Sequence, residues 1–168
     1  MMENLKQKIN SSCASLLAIA SLSVANALYA AENQNNIKSN SNVSLPMVTT
    51  QILEKAEKND NWKTAFSTGK HAQIVFMNIT PETNPKNEIG METHPFDQII
   101  IVVTGRGKAV LNGKESDVAK DDMIFIPEGT LHNVINLDKT KPLKIMSFYS
   151  STDIPANSIF KKKSDAPE

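Results

Sequence analysis

The chain has 168 residues, enough for one domain with a real core and short for two. Eighteen basic residues balance eighteen acidic ones. With no net charge, nothing recruits nucleic acid or an anionic membrane electrostatically, and a neutral small ligand is the easier partner.

Residues 1–30 read as a secretory signal peptide. Lys6 and Lys8 supply a positive start, and the run from Cys13 to Ala25 is apolar or small. That run is shorter than the roughly 20 residues a membrane-spanning helix needs. Ala25-Asn26-Ala27 offers the small-x-small pattern of a cleavage site, so cleavage after Ala27 is expected, with Ala30 as the competing site. The expected product is secreted or periplasmic, has no stable membrane anchor and contains no cysteine, because Cys13 is the only one. Disulfides, thiol nucleophiles and thiolate-bound metals are then excluded from it.

Residues 31–60 form a lead-in. Ala31 to Ser44 is rich in Asn and Ser without periodicity, a flexible spacer, and Gln51 to Lys58 has the composition of a short helical turn. From residue 61 to 150 the pattern is that of strands. Trp62 to Phe66 alternates apolar and polar, and Gln73 to Ile79 is a β-rich run closed by Thr80-Pro81. After a loop containing Pro81 and Pro85, Gln98 to Thr104 is apolar on both alternating faces. Such a strand is expected to be covered on both sides, by the barrel interior and by a second layer or subunit. Gly105-Arg106-Gly107 turns the chain into Lys108–Leu111, and Asn112-Gly113 is a strong two-residue hairpin signal leading to Lys114–Val118. Asp121-Asp122 leads into Met123–Ile126, Pro127-Glu128-Gly129 breaks it, and His132–Asn136 and Leu143–Tyr149 complete the series. Short strands with Gly, Pro and Asn turns predict an all-β sandwich or barrel. Residues 151–168 read as a C-terminal tail, with Lys161, Lys162 and Lys163 solvated. Gly105-x-Gly107 opens no helix and is a tight turn rather than a phosphate loop. His71 is expected at the surface or the rim of a pocket.

Two spacings carry chemistry. The first is Pro127-Glu128-Gly129, two residues, His132, three residues, Asn136, with Asp121 six residues before Pro127. The second is Glu92-x-His94, three residues, Gln98, six residues, Gly105. Together they resemble the two motifs of the cupin superfamily, specifically small single-domain bacterial cupins with the type-2 conserved barrel. The resemblance covers Trp62 to Tyr149. Three positions depart from the family pattern: Asp121 stands where a glycine is usual, Glu92 where the first histidine is usual, and Gln98 where the glutamate is usual.

The resemblance implies a double-stranded β-helix, or jelly roll, commonly paired into a homodimer. It also implies a metal site formed by Glu92, His94, Gln98 and His132. The usual set of three imidazoles and one carboxylate carries the same charge, so the carboxylate has moved from one ligand position to another. Glu92 and His94, two apart, share a face of an extended chain, and Gln98 keeps that parity if the backbone stays extended through Pro95, whereas Asp97 points the other way. Mixed nitrogen and oxygen donors suit Zn, Mn, Fe or Ni. Four protein ligands around a six-coordinate ion would leave two positions for a small polar molecule. The expected activity is metal-dependent isomerase, lyase or dioxygenase chemistry. A non-catalytic protein that binds a small molecule or the metal is the alternative. Without a metal, the four side chains would form a polar network with Glu92 paired to a histidinium.

Overall fold

The structure, a computed structural model, describes residues 43–81 and 87–166. The leader and most of the spacer lie outside the described residues. One short helix, α1 (Ile52–Glu57), precedes nine strands: β1 (Lys63–Thr68), β2 (Gln73–Ile79), β3 (Gln98–Thr104), β4 (Arg106–Leu111), β5 (Lys114–Ala119), β6 (Met123–Ile126), β7 (His132–Asn136), β8 (Leu143–Tyr149) and β9 (Ile159–Phe160). They build a six-stranded sheet in the order β6-β3-β8-β2-β1-β9 and a three-stranded sheet in the order β5-β4-β7. Every named strand pair is antiparallel.

The core lies between the sheets. Val75, Ile100 and Ile145 from the larger sheet and Ala109 and Val134 from the smaller one belong to a single buried cluster. Their period of two along each strand puts them on the inward face. The turns follow from local chemistry. Asn112 (φ 47°) and Gly113 (φ 82°) both take positive φ, as a tight hairpin between β4 and β5 requires. Gly105 sits between β3 and β4 at φ 92°, where a Cβ would lie 2.5 Å from the Pro142 carbonyl oxygen. Asp121 also takes a left-handed conformation, at φ 74°, and donates its backbone N–H to the Val102 carbonyl. This accounts for the departure at the motif's glycine position, since aspartate is among the few other residues that tolerate this region.

The outer face of the larger sheet is apolar too. Phe76, Val103 and Met146 pack there beneath Ala56 of α1. Lys144 ties the helix end down by donating to the Glu57 carbonyl at 2.6 Å and to Asp60 at 2.9 Å. The second layer expected over β3 is therefore provided in part by α1. Beyond the helix, Met123, Phe125 and Phe148 remain exposed, in register with Ile99 and Ile101.

The segment after β8 is packed into the fold. Ile154 is buried, and its backbone N–H and carbonyl are both bound by the Gln73 amide, at 3.1 and 2.6 Å. β9 adds to the edge of β1. Of the three tail lysines, Lys161 and Lys162 are exposed, whereas Lys163 donates to the Glu88 carbonyl and lies over Trp62. Among the described residues no helix is long and apolar enough to cross a membrane.

Candidate metal centre

Glu92 and His94 lie on the irregular segment between β2 and β3, and only Glu92 makes a β-bridge, to His132. The extended run expected through Pro95 is interrupted by bends at Pro95 and Phe96. Proline lacks an N–H, which removes a ladder bond at this point. Even so, the two motifs meet. Glu92 and His132 exchange both backbone hydrogen bonds, each at 2.9 Å. The Gly129 N–H donates to the His94 carbonyl at 2.9 Å, so the Pro-x-Gly turn is stitched directly to the segment bearing the other histidine.

Among the described residues, Glu92, His94 and His132 form the one group of three metal-capable side chains, with all donor atoms within 4.8 Å of one another. His94 Nε2 and Glu92 Oε2 are 3.3 Å apart, at ion-pair distance but without hydrogen-bond alignment. Adjacent donors on one ion with bonds of about 2.1 Å stand roughly 3–3.5 Å apart, so small side-chain rotations would close the set.

His132 is buried, and its Nδ1 lies 2.8 Å from the Thr130 carbonyl. A carbonyl can only accept, so Nδ1 carries a proton, and whenever the ring is neutral its Nε2 presents a lone pair, the arrangement found at histidine ligands. His94 is held differently. Its ring stacks on Phe96 at 4.8 Å between centroids and 11° between planes, with Tyr149 tilted against it at 5.8 Å. Its Nε2 is buried and has no hydrogen-bond partner.

Burial pushes the Glu92 carboxyl up, but the contact with His94, the Lys63 ammonium and the charges of His94 and His132 together outweigh it and hold the group below its usual range. Tyr149 shows the opposite balance. Burial, then the negative charges of Glu92 and Asp153, push its hydroxyl well above the ordinary phenol value, so it stays protonated.

Gln98 opens β3 on the inward face, in register with Tyr149 and Ile126. Its Nε2 donates to Ser147 Oγ at 3.3 Å, and its buried Oε1 has no partner. Whichever way the amide is turned, one polar atom is left over. Two buried acceptors, the His94 imidazole nitrogen and the Gln98 amide oxygen, are thus left without a partner, and the first of them belongs to the triad. Buried polar atoms are costly when unpaired. The converging carboxylate and two imidazoles of the triad fit a metal ion.

Asn136, the last residue of its motif, is a staple: it donates to the Ile79 and Lys141 carbonyls at 2.8 and 2.9 Å and accepts from the Asp138 N–H. His71 is exposed between β1 and β2 and does not join the triad. Sequence reasoning passed over Asp97 because it points away from the triad. Its carboxylate accepts the Glu128 N–H at 2.9 Å, and its backbone exchanges bonds with Ser150, so it clasps the two motifs together from behind. Its position just before β3 and the spacing to the Pro-x-Gly turn were the only signals available.

Comparisons with known proteins agree with this architecture. A family model for the cupin domain, Cupin_2, matches residues 82–149. The uncharacterized protein YrkC of Bacillus subtilis is 37% identical over 123 residues, 68% of this chain, and the chain spans 63% of that relative's length. The uncharacterized protein L612 of Acanthamoeba polyphaga mimivirus is 36% identical over 113 residues, covering 64% of this chain and 68% of its own. The crystal structure of BH2720 from Bacillus halodurans matches with a TM-score of 0.66 at 31% identity, covering 72% of this chain and 92% of that one. With two antiparallel sheets enclosing one core and both motifs meeting at the same point, the chain belongs to the cupin superfamily, type 2.

Proposed function

We propose that this cupin holds a divalent metal ion through Glu92, His94 and His132, with the Gln98 amide oxygen as a fourth donor, and presents it to a small polar molecule. The observation that carries the reading is the convergence of three donors from two separate segments, together with the buried, unpaired His94 Nε2 and Gln98 Oε1. An ion bound there would supply Lewis-acid polarisation of an oxygen on the bound molecule. The chain's own residues do the rest. Glu92 supplies the negative charge, Thr130 fixes the His132 tautomer, and Phe96 and Tyr149 hold the His94 ring. Isomerase, lyase or dioxygenase chemistry on the bound molecule belongs to this reading. So does export through a cleaved leader, supported by Lys6, Lys8 and the apolar run that follows. A homodimer is supported by the uncharged outer positions Ile99, Met123, Phe125 and Phe148.

One observation favours a second reading, a binding protein without turnover. Among the described residues at the triad, the only carboxylate is Glu92, a donor in the set, and the Tyr149 hydroxyl stays protonated. No base is left over to move a proton.

Metal content by plasma mass spectrometry on protein purified from its native compartment tests the proposal. About one equivalent of one transition metal is expected in the wild type, and less than about a tenth after His132→Ala. Wild-type protein that stays metal-free after incubation with Zn, Mn, Fe and Ni salts would overturn it.

A further inference from the structure

The segment that carries Glu92 lies against β7 with one residue too many. Glu88 bridges Ile135 and Glu92 bridges His132, so four steps along the segment, from 88 to 92, face three along β7, from 135 to 132. Ile89 donates its N–H to the Val134 carbonyl, which leaves Gly90 and Met91 together facing the single residue Asn133. This is a β-bulge, and bulges re-aim the side chains beside them. Here the bulge lets Glu92 stand opposite His132, on the face where both join the triad. Gly90 turns it at φ 109°, in the region that favours glycine.

Two side chains pin the bulge. Asn133, buried on β7, accepts the Gly90 N–H at 3.0 Å and donates to the Glu88 carboxylate at 2.9 Å. Lys163 arrives from the C-terminal tail. Its ammonium donates to the Glu88 carbonyl at 3.0 Å and stands so near Gly90 that a Cβ there would lie 3.7 Å from it. The same ammonium is seated over the buried Trp62 ring, 5.6 Å from its centroid. The tail that brings it there is anchored on β1: Trp62 and Ala65 donate their N–H groups to the Lys161 and Ser158 carbonyls at 3.2 and 2.9 Å, and Phe160 and Ala166 pack against the core cluster. A lysine loses much rotamer freedom when fixed in one place, and what this one fixes is the bulge.

We infer that the C-terminal segment is a latch on the metal centre, with Lys163 as its positioning residue. By holding the Glu88 carbonyl it fixes the bulge that aims Glu92, and so sets how fast a bound ion leaves. The inference rests on the metal-site reading above and deepens it, adding a part of the chain that touches no donor atom of the triad.

The test compares wild type with Lys163→Met, which keeps an apolar stem over Trp62, with Lys163→Arg, and with Lys161→Met as an exposed control. Zinc release to a chelator is measured on the loaded protein, and amide hydrogen exchange on the metal-free protein. Lys163→Met is expected to release zinc at least about fivefold faster, and its Ile89 and Glu92 amides to exchange faster by a similar factor, while amides of β3 and β8 keep their wild-type rates. Lys163→Arg should restore most of both, and Lys161→Met should change neither. Wild-type exchange at Ile89 and Glu92 in Lys163→Met, or zinc release at the wild-type rate, would overturn the latch. Exchange accelerated equally in β3 and β8 would also overturn it, since the lysine would then serve only the stability of the whole fold. A wild type that takes up no zinc would count against the metal reading and not against the latch. Exchange in the metal-free protein then decides the latch by itself, supporting it if the acceleration is confined to the Glu88–Glu92 segment and overturning it otherwise.

Discussion

The two histidines of the triad are held by different physics. His132 stands on a regular strand, nearly sealed from solvent, with its ring locked by a 2.8 Å contact to the Thr130 carbonyl. His94 stands in a bent segment with no hydrogen bond to its Nε2, and its ring is oriented by stacking on Phe96 and by the tilted face of Tyr149. One donor is fixed by backbone polarity and the other by aromatic packing. The first arrangement selects a tautomer as well as a direction, whereas the second selects a direction only. Metal affinity should therefore depend on the His94 side through packing changes that would leave the His132 side untouched.

Four substitutions and one control, at Phe125, probe this contrast, from the largest expected effect to the smallest. His132→Ala removes the preorganised donor, and metal affinity measured by competition with a chelator should fall by more than about 100-fold. Phe96→Leu keeps the core filled but removes the stacking partner. It should lower metal affinity about tenfold and stability by about 1 kcal/mol, while Leu replacing Phe125 on the outer face should leave affinity unchanged. Asp97→Ala breaks the clasp to Glu128 N–H without touching either ring; a several-fold loss of affinity and about 1 kcal/mol of stability are expected by the same titration and by denaturant unfolding. Asp121→Gly relieves a left-handed aspartate far from both histidines, and should leave affinity unchanged while raising stability by up to about 1 kcal/mol.

Acid titration of the metal-free protein adds a check on Glu92. Its folded carboxyl lies below the usual value of 4.5, so its ionisation stabilises the fold above that value, and this contribution is lost as the pH falls through the lower folded value. Unfolding temperature followed downward from pH 5 should therefore fall more steeply for the wild type than for Glu92→Gln. Parallel curves would show that the charges around Glu92 do not favour its ionised form.

The strands and turns were largely legible because their signals are local. Gln73–Ile79, Gln98–Thr104 and Leu143–Tyr149 carry β-rich runs, and Asn112-Gly113 marks its hairpin by the backbone conformation it tolerates. The triad was legible through motif spacing. What escaped detection depends on contacts between distant parts of the chain. The two-residue strand Ile159–Phe160 has no periodicity of its own and exists only because the edge of β1 accepts it. Asp97 looked unimportant because parity turns it from the triad, yet that is the side on which the Pro-x-Gly turn needs an acceptor. Lys163 reads as one of three solvated tail lysines, and only the docking of the tail on β1 puts its ammonium on the Glu88 carbonyl. The bend at Pro95 and Phe96 likewise replaced an expected strand face with a loop that brings Glu92 and His94 to the same point by a different route.

The central claim is that both arms and the Gln98 amide hold one ion. Anomalous diffraction from a crystal of the metal-loaded protein, collected at the metal's absorption edge, tests it most directly. The account predicts one strong peak at about 2.0–2.3 Å from a Glu92 carboxylate oxygen, His94 Nε2, His132 Nε2 and Gln98 Oε1. A loaded crystal with no peak among these atoms, or with the ion held by other side chains while Glu92 stays paired to His94, would contradict it.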